Sequence, residues 1–134
     1  MTLEQARACQ DALDLYSRIC IGQIEKVEDY VRMGVVPVGA KTGERQEASI
    51  EVCDAIKVLL DSVKVLLGYT VNGSNGIGNP HVHISAHRAY EVKKVIAKAI
   101  AEDRDPNPTL RGVDYDGLLV RYTTDPAPVA VIEQ

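Results

Sequence analysis

Residues 44–68, ERQEASIEVCDAIKVLLDSVKVLLG, decide the fold class, because their apolar side chains recur at the three-and-four spacing of an amphipathic helix. This stripe consists of Ala48, Val52, Ile56, Leu59, Leu60, Val63, Leu66 and Leu67. Gly68 follows directly and suits the left-handed backbone position at which helices commonly end. The pattern therefore predicts a helix over residues 44–67, with these apolar residues on one stripe.

A second stripe, nearer the N-terminus, predicts another long helix that ends at Gly34. Thr2 and Gln5 have the spacing of a capping box, in which a hydroxyl and an amide satisfy free backbone N–H groups at a helix start. Gly22 is the one place where this helix is expected to kink or break, because glycine costs about 1 kcal/mol relative to alanine in a helix interior. Residues 35–43 predict a loop, so the two helices are expected to form an antiparallel pair. The stripe consists of Ala6, Cys9, Leu13, Tyr16, Cys20, Ile24, Val27 and Val31.

The rest of the chain is predicted to supply a third helix and a β element. The third helix runs from about Ser85 to Glu102, with its lysines and arginines mostly outward. Residues 118–122 and 129–132 are short β-type runs that flank a turn containing two prolines, which is typical of a hairpin.

Length and composition fit one self-supporting domain. With 134 residues, 46% of them hydrophobic, the chain can fill one core without disulfides or a metal. We predict a mainly α fold of the α+β class, with two long amphipathic helices, a third basic helix and a short C-terminal β-hairpin. The single domain covers residues 1–134, helical over 1–103 and with the β-hairpin tail over 109–134. The apolar stripes are wider than one pair of helices needs, so a homodimer or larger homo-oligomer is expected.

Charge and residue usage argue against several classes of protein. A net charge of -4 and an aromatic content of 4% do not suit phosphate-backbone tracking or base stacking, so no nucleic-acid partner is expected. No apolar run approaches the roughly 18 residues that span a bilayer, so no membrane partner and a cytoplasmic location are expected. Cys9, Cys20 and Cys53 are odd in number and lack CxxC spacing, which predicts reduced core thiols.

The three histidines, His81, His83 and His87, lie within seven residues and invite three chemical hypotheses. Their alternation resembles the histidine triad of nucleotide hydrolases and transferases, with His83 as nucleophile, but Ser85 stands at the third position. A two-histidine phosphoesterase needs a distant second histidine, which this chain lacks. His83 and His87 have the spacing of zinc ligands on a helix, but no cysteine or HExxH pattern supports a metal. We therefore expect no catalytic residue, metal or cofactor, and interpret the imidazoles as groups that cap and flank a helix start.

The glycine-rich segment before the third helix predicts an anion site. Helix N-termini carry unsatisfied N–H groups and a positive dipole end, and a glycine loop lets backbone approach a ligand closely. Between His81 and Lys98, four basic residues stand against the single Glu91. The segment has neither P-loop nor dinucleotide spacing, and a solvated basic face with a flexible connector remains the alternative. Arg111 and Arg121 are the C-terminal arginines best suited to an anion. The predicted ligand-binding residues are Asn75, Gly76, Gly78, Asn79, His81, His83, Arg88, Arg111 and Arg121.

Parts of the chain resemble a family of small tailed-bacteriophage proteins. The resemblance covers most of the chain and implies a gene product made in the cytosol of an infected bacterium. Small accessory phage proteins of this kind often neutralise a host component, and some are oligomeric sponges for nucleotide signals of antiviral defence. The resemblance assigns no site. The segments that carry it are Leu15–Ile19, Gly22–Gln23, Gly76–Val82, Arg88–Val95 and Gly112–Leu118.

The leading functional hypothesis is a non-enzymatic phage accessory protein that sequesters a phosphate-bearing, nucleotide-like small molecule as an anti-defence sponge. The incomplete catalytic constellation favours binding over turnover. Two alternatives stay open. One is a protein–protein inhibitor of a host factor, acting through a helix face or the edge of the strand at residues 129–132. The other is a histidine-dependent nucleotide hydrolase or transferase.

Overall fold

The computed structural model describes residues 1–39 and 47–134, whose regular secondary structure is helical. The chain divides into two compact units, of which unit 1 comprises Met1–Cys20 with Gly76–Gln134 and unit 2 comprises Ile21–Asn75. The single domain over residues 1–134 stays a prediction. No helix among the described residues combines the length and apolarity that crossing a membrane requires. The helices are α1 (Leu3–Cys20), α2 (Lys26–Arg32), α3 (Ile50–Leu66), α4 (Ile84–Arg104) and a 3-10 helix over Val113–Asp116.

The first predicted helical segment consists of two helices, α1 and α2. The break lies at Gly22, the position that the sequence singled out. Gly22 has a φ of +99°, and a Cβ atom there would lie 2.4 Å from the ring of Tyr69. Only glycine avoids both the backbone strain and this clash, so the chain leaves α1 and re-enters a helix at α2.

In unit 1, α1 packs against α4. The capping box is confirmed, since Gln5 N–H donates to Thr2 Oγ1 at 3.2 Å and Thr2 N–H donates to Gln5 Oε1 at 2.9 Å. Small side chains on the buried side of α4 allow the two helices to approach closely. The buried apolar residues of this unit are Ala6, Val82, Ala86, Ala89, Ile96, Ala97, Ala101 and Tyr115.

In unit 2, α2 packs against α3. Ser49 caps α3 by accepting the N–H of Val52 at 3.2 Å. The helix ends as predicted at Gly68, which has a φ of +91° while Tyr69 N–H donates to the Lys64 carbonyl at 3.0 Å. Its predicted start was too early, because residues 47–49 precede the helix, and the predicted residues 44–46 lie outside the described part of the chain.

The predicted C-terminal β-hairpin is wrong, and with it the α+β fold class. The described residues contain no strand, and residues 117–134 are irregular. Backbone N–H groups in and next to the predicted strands have partners outside a hairpin. Those of Tyr122 and Thr123 donate to the Glu91 carboxylate at 2.7 and 3.0 Å, and that of Glu133 donates to the Met1 carbonyl at 2.7 Å. A helix side chain and the chain start thus replace the β ladder.

The apolar stripe of α3 is only partly covered within unit 2, where Ile56 and Leu60 are half-buried. Leu59 is 67% exposed and Leu66 is 86% exposed, while Lys64 on another side of the helix is fully buried. The Lys64 ammonium lies 2.9 Å from the Glu25 carboxylate, which provides its countercharge. The buried side of α3 therefore contains this ion pair together with Cys53, and Leu59 and Leu66 of the stripe lie outside it.

Candidate functional site

The start of α4 is built around His83, the N-cap residue. Its Nδ1 atom accepts the backbone N–H of Ser85 at 3.2 Å and lies 2.8 Å from Ser85 Oγ. The Tyr16 hydroxyl, on α1, donates to the same Oγ atom at 2.9 Å. Because Nδ1 is an acceptor from the backbone, the neutral imidazole carries its proton on Nε2.

Hydrogen bonds join the side chains of Tyr16, His83 and Ser85, and we call these three residues, with His81 two positions before the cap, the α4-start cluster. Tyr16 is 47% exposed, and both His81 and His83 are exposed. Asn79 positions the chain beside them, because its Oδ1 atom accepts the backbone N–H of His81 at 2.8 Å. The first turn of α4 contains no acidic residue. The ring N–H groups of the exposed His81 and His83 therefore stand at the positive end of a helix.

The third histidine, His87, is structural. It is buried, its Nε2 atom lies 2.7 Å from the Ile77 carbonyl, and its ring stacks on Tyr122 at 5.3 Å between centroids. Since a carbonyl only accepts, Nε2 carries the proton here. A Cβ atom at Gly78 would approach the Tyr122 ring to 3.2 Å, so the absence of a side chain lets this segment pack closely. Gly78 therefore serves packing in the unit.

Two of the three arginines predicted to bind an anion, Arg88 and Arg121, hold the C-terminal segment. Arg88 donates from Nε and Nη2 to the Asp125 carboxylate at 2.7 and 3.4 Å. This hydrogen bond lowers the pKa of Asp125 below its usual value of 3.8. Arg121 donates from Nε to Glu91 at 3.2 Å and from Nη2 to the Asp125 carbonyl. Much of their hydrogen-bonding capacity is therefore spent inside unit 1.

Glu91 is the functional group that the sequence interpretation missed. Glu91 is 2% exposed, and its carboxylate accepts a hydrogen bond from the Thr123 hydroxyl at 2.7 Å. It also accepts from the backbone N–H groups of Tyr122 and Thr123 and from Arg121. Burial raises the pKa of Glu91, but these donors lower it by more, so the pKa lies below 4.5. The available signal was that Glu91 is the lone carboxylate between His81 and Lys98.

The remaining predicted ligand residues do not converge on one place. Asn75 belongs to unit 2, where its amide donates to the Tyr69 hydroxyl at 3.1 Å and its N–H donates to the Ile21 carbonyl at 2.8 Å. Arg111 lies over the Tyr115 ring at 5.6 Å. Gly76 has open space where a Cβ atom would stand. The predicted site is thus reduced to the α4-start cluster, with Asn79 behind it and Arg88 on the next turn.

The described residues contain no group of three or more His, Cys, Asp or Glu arranged to hold a metal ion. The expectation of core thiols is correct for Cys53, which is buried, but wrong for Cys9, which is exposed. Cys9 lies on the solvent side of α1, so its place in the apolar stripe does not correspond to burial.

A polar cavity of about 330 Å³ in unit 1 lies between α1, α4 and the 3-10 helix. Within it Asp14 pairs with Lys93 at 2.9 Å and with Arg18 at 2.8 Å. Burial raises the pKa of Asp14, but these hydrogen bonds lower it by more. Three carboxylates against two lysines make the cavity a poor match for phosphate. It is lined by Gln10, Asp11, Asp14, Lys93, Lys94, Ala97 and Asp114.

Compared with known proteins, the chain matches no protein-family model, no curated protein and no solved structure at a significant level.

Proposed function

We propose that this chain is a non-enzymatic accessory protein of a tailed bacteriophage that binds and sequesters a phosphate-bearing small molecule, such as a nucleotide-derived immune signal of the host. The observation that carries the proposal is the α4-start cluster, which presents an exposed phenol, a hydroxyl and two imidazoles ahead of a 21-residue helix. A phosphate group is the ligand chemistry that this combination of donors and helix dipole favours.

The donors of the cluster suit phosphate oxygens for separate reasons. The Nε2–H of His83 is not used by the cap, and the exposed imidazole of His81 offers a second ring N–H. Arg88 lies one turn further along α4, is half-exposed, and has no hydrogen-bond partner for Nη1 among the described residues. Asp125 holds the arginine in place, which reduces the side-chain entropy lost when an anion binds.

The role of His83 as the N-cap of α4 favours ligand binding over catalytic turnover. A histidine nucleophile attacks through the nitrogen that holds a free lone pair. In His83 that nitrogen is Nδ1, and its lone pair already accepts the Ser85 N–H at the helix start. Attack by His83 would require the cap to break, so the hydrolase alternative has less geometric support than sequestration.

The test is to incubate the purified protein with a nucleotide extract of bacterial cells, remove unbound material, denature the protein by heat and analyse what is released. We expect an intact phosphate-bearing molecule in stoichiometric amount. Release of a chemically altered molecule would favour the hydrolase alternative. Release of nothing would contradict the proposal and favour a protein partner.

A matched pair of variants assigns any binding to the cluster. Ser85→Ala combined with His81→Gln removes a hydroxyl and an imidazole but leaves the His83 cap. Loss of hydrogen bonds to a charged ligand costs about 1.5–3 kcal/mol each, so we expect at least roughly a tenfold loss of affinity. Arg104→Gln, at the other end of α4, is the control and should bind like the wild type.

A further inference from the structure

Helix α3 of unit 2 exposes most of its apolar side chains. Val58 is 63% exposed and Val65 is 57% exposed, in addition to the two leucines described above. The residues that fix the helix to its own unit lie on a different side, where Cys53 is 1% exposed and Lys64 is fully buried. One side of α3 is therefore anchored, and a broad apolar face points away from the anchor.

The exposed face has a period of seven residues. Val52, Leu59 and Leu66 follow one another at this interval, as do Val58 and Val65. A seven-residue apolar repeat keeps its row facing a partner helix that supercoils around it, which is the pattern of helix-to-helix association. The face is therefore shaped for another helix.

Small side chains and a groove complete this face. Ala55 and Ser62, also seven residues apart and exposed, lie on either side of Leu59 along the helix. Their size leaves room for a leucine of a partner helix. Next to them, a groove of about 600 Å³ opens in unit 2. It is lined by Val58, Asp61, Ser62, Val65, Leu66 and Val71.

We propose that this face, made of Val52, Ala55, Leu59, Ser62 and Leu66 with the adjacent valines, pairs antiparallel with the same face of a second copy of the chain. None of these side chains is charged, so the row itself offers no charge that would select a different partner. In an antiparallel pair the smaller Val52 of one copy lies near the larger Leu66 of the other. The same patch therefore complements itself, as a two-fold interface requires.

Charge selects the antiparallel direction. Glu51 and Asp54 are exposed near the N-terminal end of α3. A parallel pair would bring both carboxylates of one copy beside those of the other and would align the two helix dipoles. The antiparallel arrangement separates the carboxylates and opposes the dipoles. This inference is independent of the proposed ligand site, because α3 belongs to unit 2 and the α4-start cluster belongs to unit 1.

The test is light scattering on the full chain at tens of micromolar, where we expect at least twice the chain mass of 14.6 kDa. Leu59→Asp should return the mass to that of one chain without loss of helical circular dichroism, since Leu59 is exposed. The control is Leu110→Asp in unit 1, which replaces an 88% exposed leucine and should keep the oligomer. A monomeric wild type, an oligomer that survives Leu59→Asp, or an equal loss in both variants would overturn the inference.

Direction is tested by disulfide trapping between chains in a background with Cys9, Cys20 and Cys53 replaced by serine or alanine. Mixing a Val52→Cys chain with a Leu66→Cys chain should give mostly mixed disulfide dimers. Predominance of Val52→Cys homodimers would contradict the antiparallel arrangement. If the serine and alanine background fails to fold, the same two chains are mixed in the wild-type background and the disulfides between them are located by mass spectrometry.

Discussion

In unit 1 the carboxylate of Glu91 is buried and hydrogen-bonded by both oxygens. In unit 2, by contrast, two leucines of α3 are exposed to solvent and a lysine of the same helix is buried. Glu91 accepts four hydrogen bonds that anchor the C-terminal segment. On α3, Leu59 and Leu66 are exposed while Lys64 is buried beside Glu25. The comparison teaches that an amphipathic pattern identifies a face that needs covering but not what covers it. Unit 1 covers its apolar face with its own chain, and we propose that unit 2 uses a second copy.

The largest loss of folding stability is expected for Glu91→Gln in unit 1. The substitution keeps the shape but removes the charge and one of the two acceptor oxygens. This leaves either Arg121 and the Thr123 hydroxyl, or the two backbone N–H groups, without an acceptor. Breaking a buried charged contact of this kind costs roughly 3 kcal/mol. Urea unfolding should show this loss. Glu102→Gln is the control, because its contact with Lys98 is exposed and 3.8 Å long, and it should change stability by about 0.5 kcal/mol or less.

A similar loss in both variants would mean that Glu91 is no more important than a surface carboxylate. The anchoring role of the carboxylate in unit 1 would then be wrong.

A smaller effect is expected from the buried ion pair of unit 2. Glu25→Gln should destabilise the protein by about 2 kcal/mol, because it leaves the Lys64 ammonium buried without a countercharge. Adding Lys64→Met should restore most of that stability, since a buried pair can often be replaced by apolar groups at little cost. Thermal unfolding of the two variants measures this difference. A double variant no more stable than Glu25→Gln would show that the pair itself holds α3 in place.

Acidification should weaken unit 1 through Glu91. The pKa of Glu91 is lowered on folding, so its stabilising contribution is present above pH 4.5 and is lost as the pH falls through the lower folded-state pKa. Unfolding free energy measured from pH 6 to pH 3 should therefore fall in that window. Glu91→Gln should show a shallower fall. The same slope in wild type and variant would assign the acid sensitivity to other carboxylates, such as Asp14, whose pKa is also lowered.

The smallest loss of folding stability is expected from substitution of His83, the N-cap residue of α4. His83→Ala removes the acceptor for the Ser85 N–H and should cost about 1 kcal/mol, the usual value of an N-cap. His83→Asn should keep most of that stability, because asparagine is among the best N-cap residues. Thermal unfolding of the two variants checks this. Equal losses in both would indicate that the imidazole stabilises α4 by contacts other than the cap.

Local chemistry explains which parts of the fold could be predicted from the sequence. The capping box at Thr2 and Gln5, the break at Gly22 and the helix end at Gly68 depend on neighbouring residues, so their patterns were sufficient. The third helix, predicted over Ser85–Glu102, is present as α4 for the same reason.

Contacts distant in sequence explain the failures. The hairpin is replaced by bonds from Tyr122 and Thr123 to Glu91, which is more than 30 residues away. Arg88 is engaged by Asp125, 37 residues further along the chain. A pattern of residue types does not show which carboxylate a given arginine meets in the folded chain, so the predicted anion site was larger than the cluster that the structure assembles.

The most direct test of the account is calorimetry of the ligand released from the wild type, titrated into wild type, His83→Asn and the combined Ser85→Ala and His81→Gln variant. We predict that all folded forms bind the ligand without turnover. His83→Asn should change the affinity modestly, and the combined variant should bind at least roughly tenfold more weakly than the wild type. Catalytic conversion of the ligand by the wild type that disappears in His83→Asn would contradict a sequestering function.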